Sequence, residues 1–181
     1  STSINVNKFG VDNLYSTCKI YSEAKHRAFA NLKIIDLRLF SFFSRFSDLD
    51  DGYLMSDIAN CIKNNIVLET DSFNIVRDYI HGSDLVNLIL ACYQKNLNIA
   101  FDVQSKQNVS KFQILEKFSK IFGLKYTIKD NLYFVNSSGK KENYYSTSEM
   151  VKNILGFVPK YTSLDALECE LNALIISGNK Y

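Results

Sequence analysis

The sequence predicts an α/β fold built on parallel strands, and three observations carry that prediction. Short runs rich in β-branched and apolar residues alternate with helix-period segments along most of the chain. Helix boundaries are punctuated by capping and glycine signals. The chain has 181 residues, 46% hydrophobic and 22% charged, which is enough apolar material for a domain with a real core. No internal repeat or low-complexity tract interrupts the pattern.

Each element follows in order. A helix is expected from about Leu14 to Asn31, where Tyr, Cys, Ile, Ala and Phe recur on a polar background. Lys33 to Phe40 reads as a buried strand. Ser41 to Asp51 is a loop that carries Phe42, Phe43 and Phe46. Gly52 to Lys63 is helical and Ile66 to Glu69 a short strand. Ile75 to Ile80 is extended, Ser83 to Gln94 an apolar-faced helix, and Asn98 to Val103 a strand. Ser110-x-x-Gln113 is a capping box that opens a helix, and Gly123 is placed to close it. Weak strands are expected at Lys125–Ile128 and Tyr133–Val135, then a polar loop over 136–143 containing Lys140 and Lys141. Thr147 to Leu155 is a helix ended by Gly156, and Ser163 to Ile176 the last helix.

Composition excludes several function classes. A net charge of +2 makes no electrostatic case for nucleic acid. No run approaches the length of a membrane span, so no transmembrane segment or membrane partner is expected. No charged stretch leading into an apolar run opens the chain, so no secretory leader is expected. The cysteines Cys18, Cys61, Cys92 and Cys169 are scattered, which suggests reduced, mostly buried residues of a cytoplasmic protein. With only His26 and His81 as histidines, no metal site is expected.

Residues 15–19 read Tyr-Ser-Thr-Cys-Lys. Residues four apart share a helix face, so the Tyr15 phenol and the Lys19 ammonium can reach one pocket. A free tyrosine has a pKa of about 10, and a nearby cation favours the phenolate. Such a pair can shuttle the proton of a substrate hydroxyl while a separate cofactor moves hydride. Tyr21-Ser-Glu-Ala-Lys25 repeats the pattern, and a partly solvated amphipathic helix explains either copy equally well.

Three further segments bear on that choice. Glu23 follows Lys19 at the same interval; Leu37-Arg38-Leu-Phe40-Ser41 ends the expected strand; and Val76-Arg77-Asp78-Tyr79-Ile80-His81 is followed by Asp84-Leu85. Together they resemble the extended short-chain dehydrogenase/reductase family of NAD-dependent nucleotide-sugar epimerases and dehydratases. The Arg77 segment is similar to the V-R-D-Y-I-H-x-x-D-L stretch of its UDP-galactose 4-epimerase branch. Gly156-Phe-Val-Pro159 resembles a stretch near the C-terminus of these enzymes. The resemblance favours Tyr15 over Tyr21: Tyr15 lies a full helix and turn ahead of the Lys33 strand, as in the family. The two tyrosines are about 240° apart around a helix and cannot share a face.

The resemblance implies the C-terminal part of a Rossmann-type fold with a smaller α/β substrate-binding lobe. Residues 1–40 would be the remnant of the Rossmann domain and 41–181 mostly the substrate lobe, with 75–103 returning to the Rossmann domain. All seven glycines are isolated, so the Gly-rich turn that holds NAD or NADP in this family has no counterpart. The chain is therefore expected to be a fragment, inactive alone and prone to expose apolar faces.

The implied roles follow. Tyr15 is the acid/base, Lys19 supports it and bonds the nicotinamide ribose, and Ser3 (Thr2 is the next candidate) bonds the reacting oxygen. Phe40 contributes to the cofactor site. Ser41, Leu54 and Arg77 contact a nucleotide-diphosphate sugar, with Arg77 on the diphosphate. Asp78, His81 and Asp84 are expected to hold a turn and cap a helix. The departures are Ser41 in place of an asparagine, Tyr53 before Leu54-Met55, and no second diphosphate arginine, for which Lys140 or Lys141 could substitute. The implied activity is a nucleotide-sugar epimerase or 4-keto reductase, with a homodimeric full-length enzyme. The alternative is a catalytically degenerate member that binds a nucleotide or a regulatory partner.

Overall fold

Three small sheets, mostly parallel, organise the chain in a computed structural model that describes residues 14–129 and 143–178. Helix α1 (Leu14–Ala28) leads into strand β1 (Ile35–Leu39). Helix α2 (Leu54–Asn64), β2 (Leu68–Thr70), β3 (Val76–Arg77), α3 (Gly82–Tyr93) and β4 (Ile99–Val103) follow. Then come β5 (Val109–Ser110), α4 (Lys111–Phe122), β6 (Tyr126–Ile128), β7 (Asn143–Tyr144), α5 (Met150–Leu155) and α6 (Ser163–Gly178). Strand β1 pairs in parallel with β4, placing Leu37 opposite Phe101, and β2 pairs in parallel with β6. The central β3 is antiparallel to β5 and parallel to β7. Parallel pairing needs long crossovers, and the intervening helices supply them.

Local chemistry sets the helix ends. Ser110 Oγ accepts from the Gln113 amide while Gln113 Oε1 accepts from the Ser110 amide, so the expected capping box forms. Gly123 closes α4 at φ +69°, a left-handed backbone that glycine adopts without a Cβ clash. Ile114, Leu115 and Phe118 lie on one face of α4 and are fully buried.

Two cores result. The larger gathers Met55 and Ile58 from α2, Ile114 and Phe118 from α4, and Leu167 and Leu171 from α6. The smaller gathers Ile80, Leu88, Cys92, Phe101 and Val103, with Ile35 and Leu37 against it. A buried polar knot joins them. Ser163 Oγ accepts from the Tyr79 amide at 2.8 Å, Asp78 Oδ1 accepts from the Ser105 amide at 2.8 Å, and the two serine hydroxyls are 2.9 Å apart. Asp78, Ser105 and Ser163 thus satisfy one another within this knot, as burial requires.

Several expectations are corrected. Strand β1 is not buried: Arg38 and Leu39 are exposed and the rest half-buried, because among the described residues β1 pairs with β4 alone. Of the cysteines only Cys92 is buried; Cys18 and Cys169 are exposed. The helix expected from Thr147 starts at Met150, since Ser146 and Ser148 use their hydroxyls to accept backbone N–H bonds ahead of it. The two-residue strands β5 and β7 were not legible in the sequence. The expected strand at 133–135, with Lys140 and Lys141, lies outside the described residues.

Candidate active site

Helix α1 runs antiparallel to β1, and two sets of side chains fix that direction. At its C-terminal end His26 Nδ1 donates to Asp36 at 2.9 Å, and Arg27 donates to Asp36 at 2.7 Å and to the Ile34 carbonyl at 3.0 Å. Midway, Arg38 donates through Nε and Nη2 to the two carboxylate oxygens of Glu23, at 2.8 and 2.5 Å. Its remaining fork reaches Asp102 on β4 at 3.0 Å. The Glu23 carboxylate, ahead of the other influences, holds the Arg38 guanidinium above its ordinary pKa. Asp102 in turn accepts from Ser146 Oγ at 2.6 Å. One polar chain thus links α1, β1, β4 and the segment after β7.

This docking sets the height of each α1 residue along β1. A helix rises about 1.5 Å per residue and a strand about 3.3 Å. With Glu23 level with Arg38, Lys19 comes level with Phe40, and Tyr15 lies beyond Leu39, the last residue of the strand. Tyr21 comes level with Leu39 itself. Carboxyl ends of parallel strands are where ligands bind in open α/β sheets, and Tyr15 stands about 9 Å further out past that end than Tyr21. Exposure does not distinguish the two, since Tyr15 is 72% and Tyr21 69% exposed. Lys19 Nζ stands 5.4 Å from the centroid of the Tyr15 ring, so phenol and ammonium do share a face.

The other expected residues converge on the same end. Ser41 bridges in parallel to Tyr79, and its carbonyl accepts from the Ile80 amide at 3.4 Å. The bridge carries β3 and Arg77 up to the end of β1. Arg77 is half-buried and lies in register with Tyr144 of β7; burial pulls its guanidinium below the ordinary value. The Tyr144 ring meets the Phe40 ring edge-on, with centroids 5.0 Å apart. Tyr144 therefore joins Phe40 to Arg77. It was missed because β7 is too short to carry a strand signal.

Not every expected residue stands there. Leu54 opens α2 and packs onto the larger core, with Tyr53 half-exposed before it. Ser3 and Thr2 lie outside the described residues. Asp78, His81 and Asp84 serve the fold. Asp78 holds the Ser105 amide, and His81 caps the Ser83 amide at 3.2 Å. Asp84 accepts from the Lys160 and Tyr161 amides, at 2.9 Å each.

Tyr15, Lys19 and Phe40 bring a hydroxyl, a cation and a ring to the carboxyl end of β1. A Cβ added at Gly82, Gly123 or Gly156 would meet nothing within 4 Å. Among those residues no group of three or more His, Cys, Asp or Glu could hold a metal ion, and no helix is long and apolar enough to cross a membrane.

Residues 3–102 match the model of the NAD dependent epimerase/dehydratase family. The chain belongs to this family. It is 26% identical over 123 residues to a UDP-glucose 4-epimerase from Streptococcus mutans, an alignment that covers 63% of this chain and 36% of that protein. Among solved structures, UDP-glucose 4-epimerase from Thermotoga maritima with UDP-glucose superposes with a TM-score of 0.76 at 17% identity, over 92% of this chain and 54% of the other. UDP-glucuronic acid 4-epimerase from Bacillus cereus, in complex with UDP-glucuronic acid and NAD, gives 0.73 at 15% identity, over 96% and 56%. The shared fold is the Rossmann type of these epimerases and dehydratases. The chain spans little more than half of these solved structures and about a third of the curated relative.

Proposed function

We propose that these residues carry the proton-handling and substrate-binding side of an NAD(P)-dependent nucleotide-sugar epimerase or 4-keto reductase. The observation that carries the reading is the Tyr15/Lys19 pair, placed level with the carboxyl end of β1 by the Glu23–Arg38 fork. The dinucleotide, when bound, takes up and returns a hydride at the sugar carbon. Tyr15 Oη accepts the proton of the sugar hydroxyl and later gives it back, in step with the oxidation state of the carbon. Lys19 donates to the nicotinamide ribose, and Phe40 borders that site. Arg77 meets the diphosphate with a fork of donors, beside Tyr144 and Ser41, and Leu54 contributes at the substrate wall. Ser3 would bond the reacting oxygen.

The two cores support a division of labour. The smaller core, built on β1, β4 and α3, would back the cofactor side, comprising residues 1–40 and the returning segment 75–103. The larger core would carry the substrate lobe within 41–181. No Gly-rich turn occurs in these 181 residues, so the activity is proposed for the protein in which they work together with such a turn. That protein is expected to be a cytoplasmic homodimer, which sedimentation would test.

Replacing Tyr15 by Phe in that complete protein should lower kcat by about 10²–10⁴-fold, while Tyr21→Phe leaves it within about twofold. Unchanged turnover in Tyr15→Phe would remove the acid/base role and leave a nucleotide-binding module. An epimerase retains its dinucleotide through purification and a reductase exchanges it, so cofactor retention separates the two activities.

A further inference from the structure

Lys111 breaks two local rules. It occupies the first position of α4, where the positive end of the helix dipole disfavours a cation. It is also 3% exposed, although lysine is rarely buried without a specific partner. Its ammonium is fully used. Nζ donates to Asp71 Oδ1 at 2.7 Å, to the Asp71 carbonyl at 2.7 Å and to Thr70 Oγ1 at 3.3 Å. All three N–H donors are thereby satisfied. Its main-chain amide donates to the Ile75 carbonyl at 2.8 Å.

These contacts close on one loop. Residues 71–75 connect β2 to β3, and Lys111 holds the first residue with its side chain and the last with its backbone. Asn74 Oδ1 accepts from the neighbouring Phe112 amide at 3.1 Å. Immediately beyond, Val76 and Arg77 pair with Ser110 and Val109. The entry to Arg77 is therefore pinned to the start of α4 at four successive places. A buried ion pair is weak support for stability, because an apolar pair of similar volume can serve as well. What it supplies is one fixed geometry.

We infer that Lys111 is a positioning residue for substrate binding. It staples the β2–β3 loop so that Arg77 is presented in one orientation to an anionic group of the substrate. The inference rests on the reading of Arg77 as the diphosphate contact, and the experiment keeps the two apart.

In the complete protein, UDP-glucose is the probe, followed by titration calorimetry and by KM and kcat where turnover occurs. The variants are Lys111→Met, Asp71→Asn, Arg77→Ala and Lys111→Met combined with Arg77→Ala. Lys111→Met and Asp71→Asn should each weaken UDP-glucose binding, or raise KM, by about tenfold, with kcat changed less than about twofold. Added to Arg77→Ala, Lys111→Met should cost nothing further, because its effect passes through that residue. If Arg77→Ala weakens binding while Lys111→Met and Asp71→Asn do not, the inference fails and the diphosphate reading stands. An additive double variant also overturns it. If Arg77→Ala itself leaves binding unchanged, the diphosphate reading fails and this inference goes with it. Asp71→Asn keeps the loop acceptors and the volume, so it reports on the staple even if Lys111→Met fails to fold.

Discussion

Glu23 and Arg38 form a two-pronged ion pair, with Nε and Nη2 of the arginine 2.8 and 2.5 Å from the two carboxylate oxygens. The pair crosses from α1 to β1 and fixes how far the helix slides along the strand. The positions of Tyr15 and Lys19 depend on that slide. Half of the Arg38 side chain is exposed, so the pair contributes only about 0.5–1 kcal/mol to stability after solvent screening. Its larger consequence is placement. Glu23→Gln should lower kcat of the complete enzyme about tenfold with a melting temperature reduced by only a few degrees, since small displacements of a reacting group are costly. Unaltered kcat would show that α1 is positioned by the His26 and Arg27 contacts alone.

Asp78 should make stability depend on pH in an unusual direction. Burial, the largest influence, raises its carboxyl above the ordinary 3.8, against the bonds from Ser105 and Ser163. The folded chain then holds this proton more tightly than the unfolded chain does. Its contribution is fully present below 3.8 and is lost as pH rises through the raised folded value. Asp78→Asn keeps an oxygen to accept from the Ser105 amide and has no proton to lose. The melting temperature of the variant relative to the parent should therefore climb as pH rises from about 4 towards neutrality. A difference that is flat across that range would contradict the assignment.

Phe101 lies at the centre of the smaller core with no exposed surface. Phe101→Ala should cost about 3–5 kcal/mol by urea denaturation, from lost transfer energy and the cavity left between β4 and α3. Phe46, 88% exposed, is the control: Phe46→Ala should stay within about 0.5 kcal/mol.

Tyr144 touches Phe40 and lies in register with Arg77. Removing the ring should loosen both. Tyr144→Ala is expected to raise KM for UDP-glucose about tenfold, and Tyr144→Phe, which keeps the edge-on ring contact, much less. Equal KM values for the two variants would place the ring outside the site.

Much of the fold was legible because its signals are local. A capping box spans four residues, and a glycine at φ +69° needs no distant partner, so α4 could be bounded at Ser110 and Gly123 from sequence. Strands of two residues carry no such signal. Strand β7 exists because Asn143 and Tyr144 meet β3, more than sixty residues earlier, and propensity over two positions is uninformative. Exposure was misjudged at Leu39 and Cys18 for the same reason: it depends on what packs above a residue.

The sequence by itself determined the α/β class and the family. Both rest on patterns and spacings along the chain, which folding does not alter. Tertiary structure alone decided that Lys19 stands level with Phe40, that Tyr144 joins Phe40 to Arg77, and that Lys111 is buried against Asp71. Each of these brings together side chains whose separation is set by strand register and helix docking, and neither quantity is written in any short stretch of residues.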